Sequence, residues 1–455
     1  MYYSIMFINE RMILVFFPLV FLSTLSGGGD AIKKKYANMS FPTVTSSSVV
    51  RLFLAGDFMP GRGIDAVMPR PCPLEIREGF CASSIEYARL AERKHKKRFP
   101  DENQTLSARD VLGEASKLIE RYEPHVKLIN LETSVTKKST FYPNKGINYR
   151  ASEENVFALF DILKPNVVSL ANNHAMDFSR EGLEDTLQFF DDENVRVKRI
   201  GAGWNNIADA MQPAVLKNVY PYGFAPARND KRGVDVAAFG LCFEDSGVPR
   251  DWEATERSMG VVLATRDDKV PERLLSAIAK LKKESNAIII VSIHFGGNWG
   301  FEVPRTHVAA AKTLVDAGAD VIHGHSSHHA KTAMLYKEKL ILFGCGEFFN
   351  DYEGIRPHAG FPENEYLGHL RLLYFVDVDA KTHNFNRLEI VLMRQKMFAL
   401  TTLECPREEA EQLLTALRRQ YAFGRLNLTL KEDGNTLIAW PEHVVRSQRR
   451  SEDEL

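Results

Sequence analysis

The feature that most constrains the fold of this chain is a series of short apolar runs that each end in polar residues or glycine. The runs are rich in Val, Ile and Phe and alternate with amphipathic stretches. Such runs, bounded by Gly, Asn and Asp, are typical of buried β-strands. Strands that alternate with helices predict an α/β architecture with at least partly parallel sheets. The predicted strands cover residues 49–55, 126–131, 167–171, 234–241, 287–293, 320–322, 339–343 and 371–378.

Four helices are predicted between these strands, with ends set by capping and helix-breaking residues. Ser179 is a suitable N-cap, Pro271 suits a first helical turn, and Gly318 is a typical C-terminal stop. The predicted helices cover residues 155–163, 180–191, 271–283 and 305–317.

Residues that can bind a metal ion follow the predicted strands. In α/β sheets, functional sites form at the carboxyl ends of the strands. Oxygen and imidazole ligands suit Zn, Mn or Fe(II), and six of the 13 histidines lie between His294 and His329. The sequence therefore predicts a metal site at this edge of the sheets. The strand-end candidates are Asp57, Glu132, Asn173, His174, His294, His323 and His325.

The two ends of the chain differ from its body. Residues 12–25 form an uncharged apolar stretch of 14 residues, shorter than the ~20 residues that a membrane span needs. This length suits a secretory signal; an uncleaved anchor or a stray extension are the alternatives. Residues 1–48 are thus predicted to be a signal-like or anchor segment plus linker, which implies a secreted or membrane-anchored protein, with a cytoplasmic location as the alternative. The remaining predicted parts are a main domain over 49–400, an irregular insertion within it over 68–110, and a C-terminal helix and tail over 401–455.

Charge and composition exclude some classes of function. The chain has 455 residues, with 58 Lys and Arg against 59 Asp and Glu, and a net charge of −1. A dedicated nucleic-acid binder normally carries a basic excess, so no nucleic-acid partner is expected. Hydrophobic residues make up 44% and charged residues 26%, as in ordinary soluble globular enzymes.

Six ordered segments carry a resemblance to a known family. They are AGDFMPGR at 55–62, NLET at 130–133, ANNHAMD at 171–177, SIHFGGNWG at 292–300, GHSSHH at 324–329 and LFGCGEFFND at 342–351. Through them, residues 51–380 resemble the capsule-synthesis (CapA) family, also called poly-γ-glutamate synthesis proteins. That family is similar to the calcineurin-like metallophosphatases. The resemblance implies a layered α/β/β/α sandwich with mixed sheets.

The metallophosphatase pattern also implies the ligands of one or two divalent ions, with Mn, Zn or Fe as candidates. Asp57 would ligate the first metal, Glu132 would stand at the bridging position, and Asn173 would ligate the second metal through its amide oxygen. Two departures leave the number of ions open. Met59 stands where the superfamily usually has a histidine, and the next histidine after His325 is three residues on instead of two. The remaining implied ligands are His294, His325 and either His328 or His323.

The same pattern implies a proton donor. His174 would protonate the leaving group, and Asp177, three residues on, would orient its ring. Glu347 and Asp351 are expected either to support the ligands or to lie in a solvated turn.

Cationic and aromatic residues near these motifs are candidates for binding an anionic small molecule or polymer. Arg62 is either a bidentate clamp for an anionic group or a structural arginine. Lys145 and Arg150 follow the Glu132 strand and are expected to line the same cleft. Trp299 is either a lid or stacking residue, or part of the core.

Three hypotheses about function follow. The first is a metal-dependent hydrolase acting on phosphate esters. The second is a non-hydrolytic component of poly-γ-glutamate or capsule-like polymer synthesis or export. The third, a scaffold with a degenerate site, is disfavoured because the chain retains Asp57, Asn173, His174, His294 and His325 together.

Overall fold

The computed structural model describes residues 48–79, 81–99, 105–222, 233–264, 269–355, 366–403, 406–419 and 425–442. The apolar segment 12–25 and the last residues of the expected tail lie outside these ranges. Within them, every helix is too short or too polar to cross a bilayer.

The described residues form 22 β-strands and nine α-helices. The strands are β1 Val49–Phe58, β2 Glu75–Glu78, β3 Cys81–Ser83, β4 Val126–Leu131, β5 Ser134–Val135, β6 Arg150–Ala151, β7 Val167–Ser169, β8 Lys198–Ile200, β9 Ala202–Gly203, β10 Ala214–Val219, β11 Val234–Cys242, β12 Gly260–Val261, β13 Ile288–His294, β14 Val321–His325, β15 Ala333–Tyr336, β16 Lys339–Leu342, β17 Glu347–Phe349, β18 Leu370–Asp379, β19 Phe385–Lys396, β20 Ala399–Thr401, β21 Leu426–Leu430 and β22 Thr436–Pro441. The helices are α1 Gly63–Val67, α2 Ile85–His95, α3 Ala108–Tyr122, α4 Glu153–Leu163, α5 Ser179–Asp191, α6 Ile207–Ala210, α7 Glu272–Glu284, α8 Arg305–Ala317 and α9 Pro406–Arg419.

Most strands belong to two mixed sheets. The first has the order β21-β22-β19-β18-β1-β4-β7-β8, with β17 paired to β1 and β20 to β19. Strands β1, β4, β7 and β8 run parallel, and β18 joins β1 in the antiparallel sense. The second sheet has the order β10-β11-β13-β14-β16-β15, and its four central strands are parallel. The carboxyl ends of the parallel strands therefore share one edge in each sheet.

The two sheets pack face to face. Alternate residues of a strand point to opposite faces of its sheet, so each sheet contributes one set of side chains to the layer between them. Leu52 and Leu54 of β1 share a buried cluster with Val236 and Ile290 of the second sheet. The other face of the second sheet is covered by α7 and α8, with Ile289 and Val291 in one cluster with Leu274, Ile278 and Leu314.

Helix α3 covers the outer face of the first sheet, where Tyr122 stacks on Phe375 of β18 at 3.9 Å between ring centroids. This arrangement confirms the layered α/β/β/α sandwich with mixed sheets. All eight predicted strands and all four predicted helices are present, with ends shifted by a few residues.

Two segments hold more regular structure than their sequences predicted. Residues 68–110, predicted to be irregular, contain the hairpin β2–β3, helix α2 and the start of α3. Helix α2 lacks a stripe of large aliphatic residues and buries only Tyr87, Ala88 and Ala91, so its periodicity is weak. After residue 401, the expected helix is α9, but β21 and β22 follow it and β22 pairs with β19. These strands are only five and six residues long, and neither contains the continuous Val- and Ile-rich run by which the other strands were recognised.

Candidate metal centre

Strand register brings the predicted ligands to one place. In the second sheet, His294 at the end of β13 lies directly opposite His325 at the end of β14. In the first sheet, Asp57 of β1 lies opposite Asn130 of β4 and opposite Glu347 of β17. Because the sheets face each other, the side chains from both carboxyl edges meet in the space between them.

The first group of candidate ligands, the histidine set, consists of Asp57, His294 and His325. Their ligand atoms all lie within 4.8 Å of one another, and all three residues are buried. His294 Nδ1 is 2.8 Å from His325 Nδ1 and 3.9 Å from Asp57 Oδ1. Ligands of a tetrahedral zinc ion at ~2.0–2.2 Å stand about 3.3 Å apart, so these three atoms need only small shifts to share a cation.

The second group, the carboxylate set, consists of Asp57, Glu132, His328 and Glu347, again buried and within 4.8 Å. His328 Nδ1 is 3.3 Å from Asp57 Oδ2 and contacts Glu347 Oε1. Asp57 belongs to both sets, so it would be a ligand shared by any cations that the two sets held. Glu132 Oε1 also lies 3.7 Å from His294 Nε2. The carboxylate for which the sequence implied a bridging role therefore lies between the two sets.

Several oxygens of the carboxylate set lack a protein donor. Both carboxylate oxygens of Glu132 and Oε2 of Glu347 are buried without a hydrogen-bond partner among the described residues, whereas Glu347 Oε1 contacts His328 Nδ1. A buried carboxylate normally needs a hydrogen-bond donor, a counter-charge or a metal ion. Burial, followed by the charge of Asp57, raises the pKa of Glu132 well above its ordinary value. Three carboxylates around one imidazole thus fit a divalent cation.

The histidines of the two sets differ in charge. Burial lowers the pKa of His294 to about 4 and the pKa of His325 well below its ordinary value. Neutral imidazoles are the form that binds metals. For His328, the charges of Glu347 and Glu132 outweigh burial and raise its pKa well above the ordinary value. Without a metal, the proton on His328 is therefore the main counter-charge of the carboxylate set.

Asparagine side chains fix the surroundings of both sets. Asn130 Nδ2 donates to Asp57 Oδ1 at 2.8 Å, and Asn172 Nδ2 donates to Asn130 Oδ1 at 3.0 Å. Asn173 Oδ1 lies 3.0 Å from His294 Nε2, so the predicted amide ligand does reach the centre. Asn130 and Asn172 were part of recognised segments but were not assigned a role from sequence.

The predicted proton donor lies beside the centre. His174 Nδ1 is 2.6 Å from Asp177 Oδ2, and His174 Nε2 is 4.0 Å from Glu132 Oε1. One nitrogen therefore contacts the orienting carboxylate while the other faces the candidate ligands. Tyr149 stacks on the imidazole with ring centroids 3.7 Å apart. Burial and then the charge of Lys145 lower the pKa of His174 well below its ordinary value, and burial raises the pKa of Asp177 to about 7.

Arg62, expected as either an anion clamp or a structural residue, is structural. Its side chain is 2% exposed and forms ion pairs with Glu78 and Asp351. Its Nη1 also donates to the Tyr87 hydroxyl at 2.7 Å. We call Arg62, Glu78, Tyr87 and Asp351 the arginine cluster. Arg62 forms its bidentate interaction with Asp351 and not with a ligand. Asp351 is therefore buried and does not lie in a solvated turn.

Arg150 is likewise used inside the protein. It is buried, and its Nη2 donates to the backbone carbonyls of Pro73 and Glu75 at 2.6 and 2.9 Å. Both carbonyls belong to the segment around β2, which carried too little signal to be placed from sequence. The structure therefore does not bring Arg150 to the cleft, and this expectation is wrong.

Three further candidate residues differ in how close they lie to the candidate ligands. Lys145 does reach the centre, with Nζ 2.6 Å from Asp177 Oδ1 and 3.2 Å from His174 Nδ1. Trp299 is 37% exposed and its ring centroid lies 6.2 Å from that of His328, so it borders the carboxylate set and is not a core residue. His323 lies outside both sets, with Nδ1 3.1 Å from Ser292 Oγ. His328 is thus the last histidine that the structure brings to the ligands.

Glu347 is the ligand candidate that sequence reasoning placed only as a supporting group or a turn residue. It lies in β17, a strand of three residues, which is too short to be predicted from an alternating pattern. The available signal was its position just after Gly344-Cys345-Gly346 at the end of a predicted strand. The close approach of β1 to this turn requires glycine at position 56, since a Cβ on Gly56 would lie 1.7 Å from the Gly346 carbonyl oxygen.

The fold and the two ligand sets define an α/β protein with a buried candidate metal centre at the carboxyl ends of its strands. The model of the family described as bacterial capsule synthesis protein PGA_cap matches residues 51–352. A relative in Mycobacterium tuberculosis, named probable polyglutamine synthesis accessory protein, is 37% identical over 76% of this chain and 85% of its own length. This chain belongs to the PGA_cap capsule synthesis family.

More distant relatives share only part of their length with this chain. The PGA biosynthesis protein CapA of Bacillus subtilis is 30% identical over 49% of this chain and 52% of its own. The capsule biosynthesis protein CapA of Bacillus anthracis is 32% identical over 47% of each. Among solved structures, the sulfate thiohydrolase SoxB of Thermus thermophilus, in complex with glycerol, matches 84% of this chain and 61% of its own. Its identity is 14% and its TM-score 0.36, too low to say more about this chain.

Proposed function

We propose that this protein is a metal-dependent hydrolase of phosphate esters. The observation that carries the proposal is the carboxylate set, in which both oxygens of Glu132 and Oε2 of Glu347 are buried without a protein donor among the described residues. Such a donor set is stable in a folded protein when a divalent cation neutralises it. Imidazole and carboxylate ligands fit Mn, Zn or Fe.

Two cations are proposed, because two sets of ligands share one carboxylate. The histidine set and Asn173 would hold one ion, and the carboxylate set would hold the other. Bound metal ions of this kind supply Lewis acidity and lower the pKa of water to near neutrality. Asp57 keeps the two sets adjacent through its two oxygens, and Asn130 fixes the orientation of that carboxylate.

The protein residues provide the proton at the leaving group. We assign this role to His174, because its Nε2 faces the ligands while its Nδ1 is held by Asp177 and Lys145. A neutral imidazole with hydrogen on Nε2 gives that proton to the leaving oxygen while Nδ1 accepts one from Lys145 or Asp177. The stacked ring of Tyr149 keeps the imidazole in this plane.

The test is metal-dependent activity on a panel of phosphate mono- and diesters. Removal of metal with a chelator should abolish hydrolysis, and Mn²⁺ or Zn²⁺ should restore it. A wild-type protein that binds metal but hydrolyses no ester of the panel would refute the hydrolase proposal.

A second candidate function is supported by the names of the relatives. They are called capsule biosynthesis, PGA biosynthesis and polyglutamine synthesis accessory proteins, and none of these names states a hydrolysis. In this alternative, the centre binds an anionic polymer or its precursor during synthesis or export. Loss of polymer in a deletion strain that is restored equally by wild type and by the catalytically inactive His174→Ala variant would favour it.

Location is part of the same proposal. We propose that segment 12–25 directs the protein out of the cytoplasm or anchors it at the membrane, where an anionic polymer is exported. Cell fractionation tests this, since recovery of the full-length protein in the cytoplasmic fraction alone would contradict it.

A further inference from the structure

Most of the cationic residues that the sequence analysis considered for substrate binding are bound to partners within the protein. Arg62 and Arg150 are buried with protein partners, and Lys145 is paired with Asp177. An uncommitted charge does lie nearby, on Arg180 in the first turn of α5. Its side chain is exposed, and it donates only to backbone carbonyls, Met259 O at 2.7 Å and Asp251 O at 3.4 Å. Among the described residues, no carboxylate oxygen lies within ion-pair distance of it.

Arg180 lines a cavity of about 370 Å³ formed by the turns 142–144, 176–180 and 251–252. This cavity adjoins the proposed proton donor, because the backbone N–H of Tyr142 in its wall donates to the carbonyl oxygen of Asp177 at 2.8 Å. Lys145 connects the two places: its Nζ is 3.2 Å from His174 Nδ1 and 5.8 Å from the ring centroid of Trp252. Lys145 and His174 are therefore the two side chains that separate this cavity from the candidate ligand Glu132.

The lining of the cavity favours an anionic group on an extended chain. Tyr142 and Trp252 form an aromatic wall, with ring centroids 5.2 Å apart. The one carboxylate in the wall, Asp251, accepts hydrogen bonds from the Tyr142 hydroxyl at 2.6 and 2.8 Å. A guanidinium binds a carboxylate or phosphate through two parallel hydrogen bonds, so Arg180 supplies the charge that recognises the ligand.

We propose that Arg180 binds a second anionic group of the substrate in this cavity while the first occupies the metal centre. The substrate class is then a molecule with at least two carboxylate or phosphate groups. This inference rests on the proposed function in one respect: it assumes that the first anionic group of the substrate binds at the metal centre.

Isothermal titration calorimetry of the metal-loaded protein tests the proposal with three probes: inorganic phosphate, tripolyphosphate and a γ-linked pentaglutamate. We expect one of the two longer anions to bind the wild type more tightly than inorganic phosphate. Arg180→Gln should weaken that binding about 10- to 100-fold, the range for hydrogen bonds to charged groups, and should leave phosphate binding unchanged. Arg180→Lys should restore part of the affinity.

The matched control is Arg418→Gln, since Arg418 is also exposed and donates to a backbone carbonyl, Leu428 O at 2.9 Å. Tighter binding of tripolyphosphate identifies a phosphate chain, and tighter binding of pentaglutamate identifies a carboxylate chain. The proposal is overturned if neither longer anion exceeds phosphate, if Arg180→Gln binds like the wild type, or if Arg418→Gln has the same effect. Binding requires no turnover, so an Arg180-dependent affinity in a protein without esterase activity would refute the hydrolase and retain this site.

Discussion

Two buried charged clusters lie close together in this molecule and differ in how their charges are balanced. In the arginine cluster, the guanidinium of Arg62 meets two carboxylates and a hydroxyl within hydrogen-bond distance. In the carboxylate set, three carboxylates share one imidazole, and both oxygens of Glu132 and Oε2 of Glu347 have no donor among the described residues. Both clusters consist of fully buried side chains, so burial alone does not distinguish a structural cluster from a ligand site. The two kinds of cluster are distinguished by whether each buried polar atom has a partner within the protein.

This difference predicts opposite consequences of substitution. A cluster whose charged groups all have protein partners contributes to folding, and removal of its one cation leaves unpaired buried carboxylates. A cluster with excess negative charge opposes folding of the metal-free protein and is stabilised by a bound cation. The predictions below test this contrast, beginning with the largest expected effect.

Asp57→Asn should remove metal binding and hydrolysis together, because Asp57 belongs to both ligand sets. Metal content per chain, measured by mass spectrometry, should fall to background. The isosteric control is Asp351→Asn in the arginine cluster, which should lower stability while metal content is retained. Equal metal loss in both variants would contradict the contrast.

His174→Ala should lower turnover by roughly 10²–10⁴-fold, the usual contribution of a proton donor, with metal content unchanged. The loss should be smaller for nitrophenyl esters, whose leaving groups need less protonation. His369→Ala is the control, since His369 also pairs with a carboxylate, Glu409, at 2.8 Å. Full activity of His174→Ala on alkyl phosphates would exclude the assigned role.

Arg62→Met should lower the free energy of unfolding by about 3–5 kcal/mol, as expected when one partner of a buried ion pair is removed. Urea denaturation of the metal-loaded protein measures this change. The variant should bind metal with the affinity of the wild type. Unchanged stability combined with a higher KM would instead favour the anion clamp.

Glu132→Gln should raise the free energy of unfolding of the metal-free protein at pH 7, because it replaces a buried carboxylate that has no protein donor by a neutral amide. Burial raises the pKa of Glu132 in the folded state, so folding favours its protonated form. The wild-type carboxylate therefore destabilises the metal-free protein as pH rises above its unfolded-state pKa of ~4.3. The advantage of the variant should shrink towards pH 4, and an advantage independent of pH would contradict this cause.

Much of the fold was predictable because its central strands are buried on both faces. Such strands read as continuous apolar runs, as in β13 with Ile288–His294, and their polar ends mark the site directly. Strand β17 was missed because it has only three residues. Strands β19 and β21 were missed because polar residues interrupt their apolar runs.

Most of the candidate ligands were predictable from sequence, but the internal partners of the arginines were not. Asp57, Glu132, His294 and His325 follow strands whose register fixes their meeting point. The use of Arg62 depends on Glu78 and Tyr87, which lie in a segment with weak periodicity. A sequence shows a cation near a motif, but only the packed structure shows whether a carboxylate already occupies it.

The change in melting temperature when Mn²⁺ or Zn²⁺ is added to the chelator-treated protein tests the difference between the two clusters most directly. At a metal concentration of 1,000 times Kd, the cation should stabilise the wild type by about 4 kcal/mol. Arg62→Met should start from a lower melting temperature and show the same rise, whereas Asp57→Asn should show none. No rise in the wild type, or an equal rise in Asp57→Asn, would contradict the assignment of the two ligand sets as the metal centre.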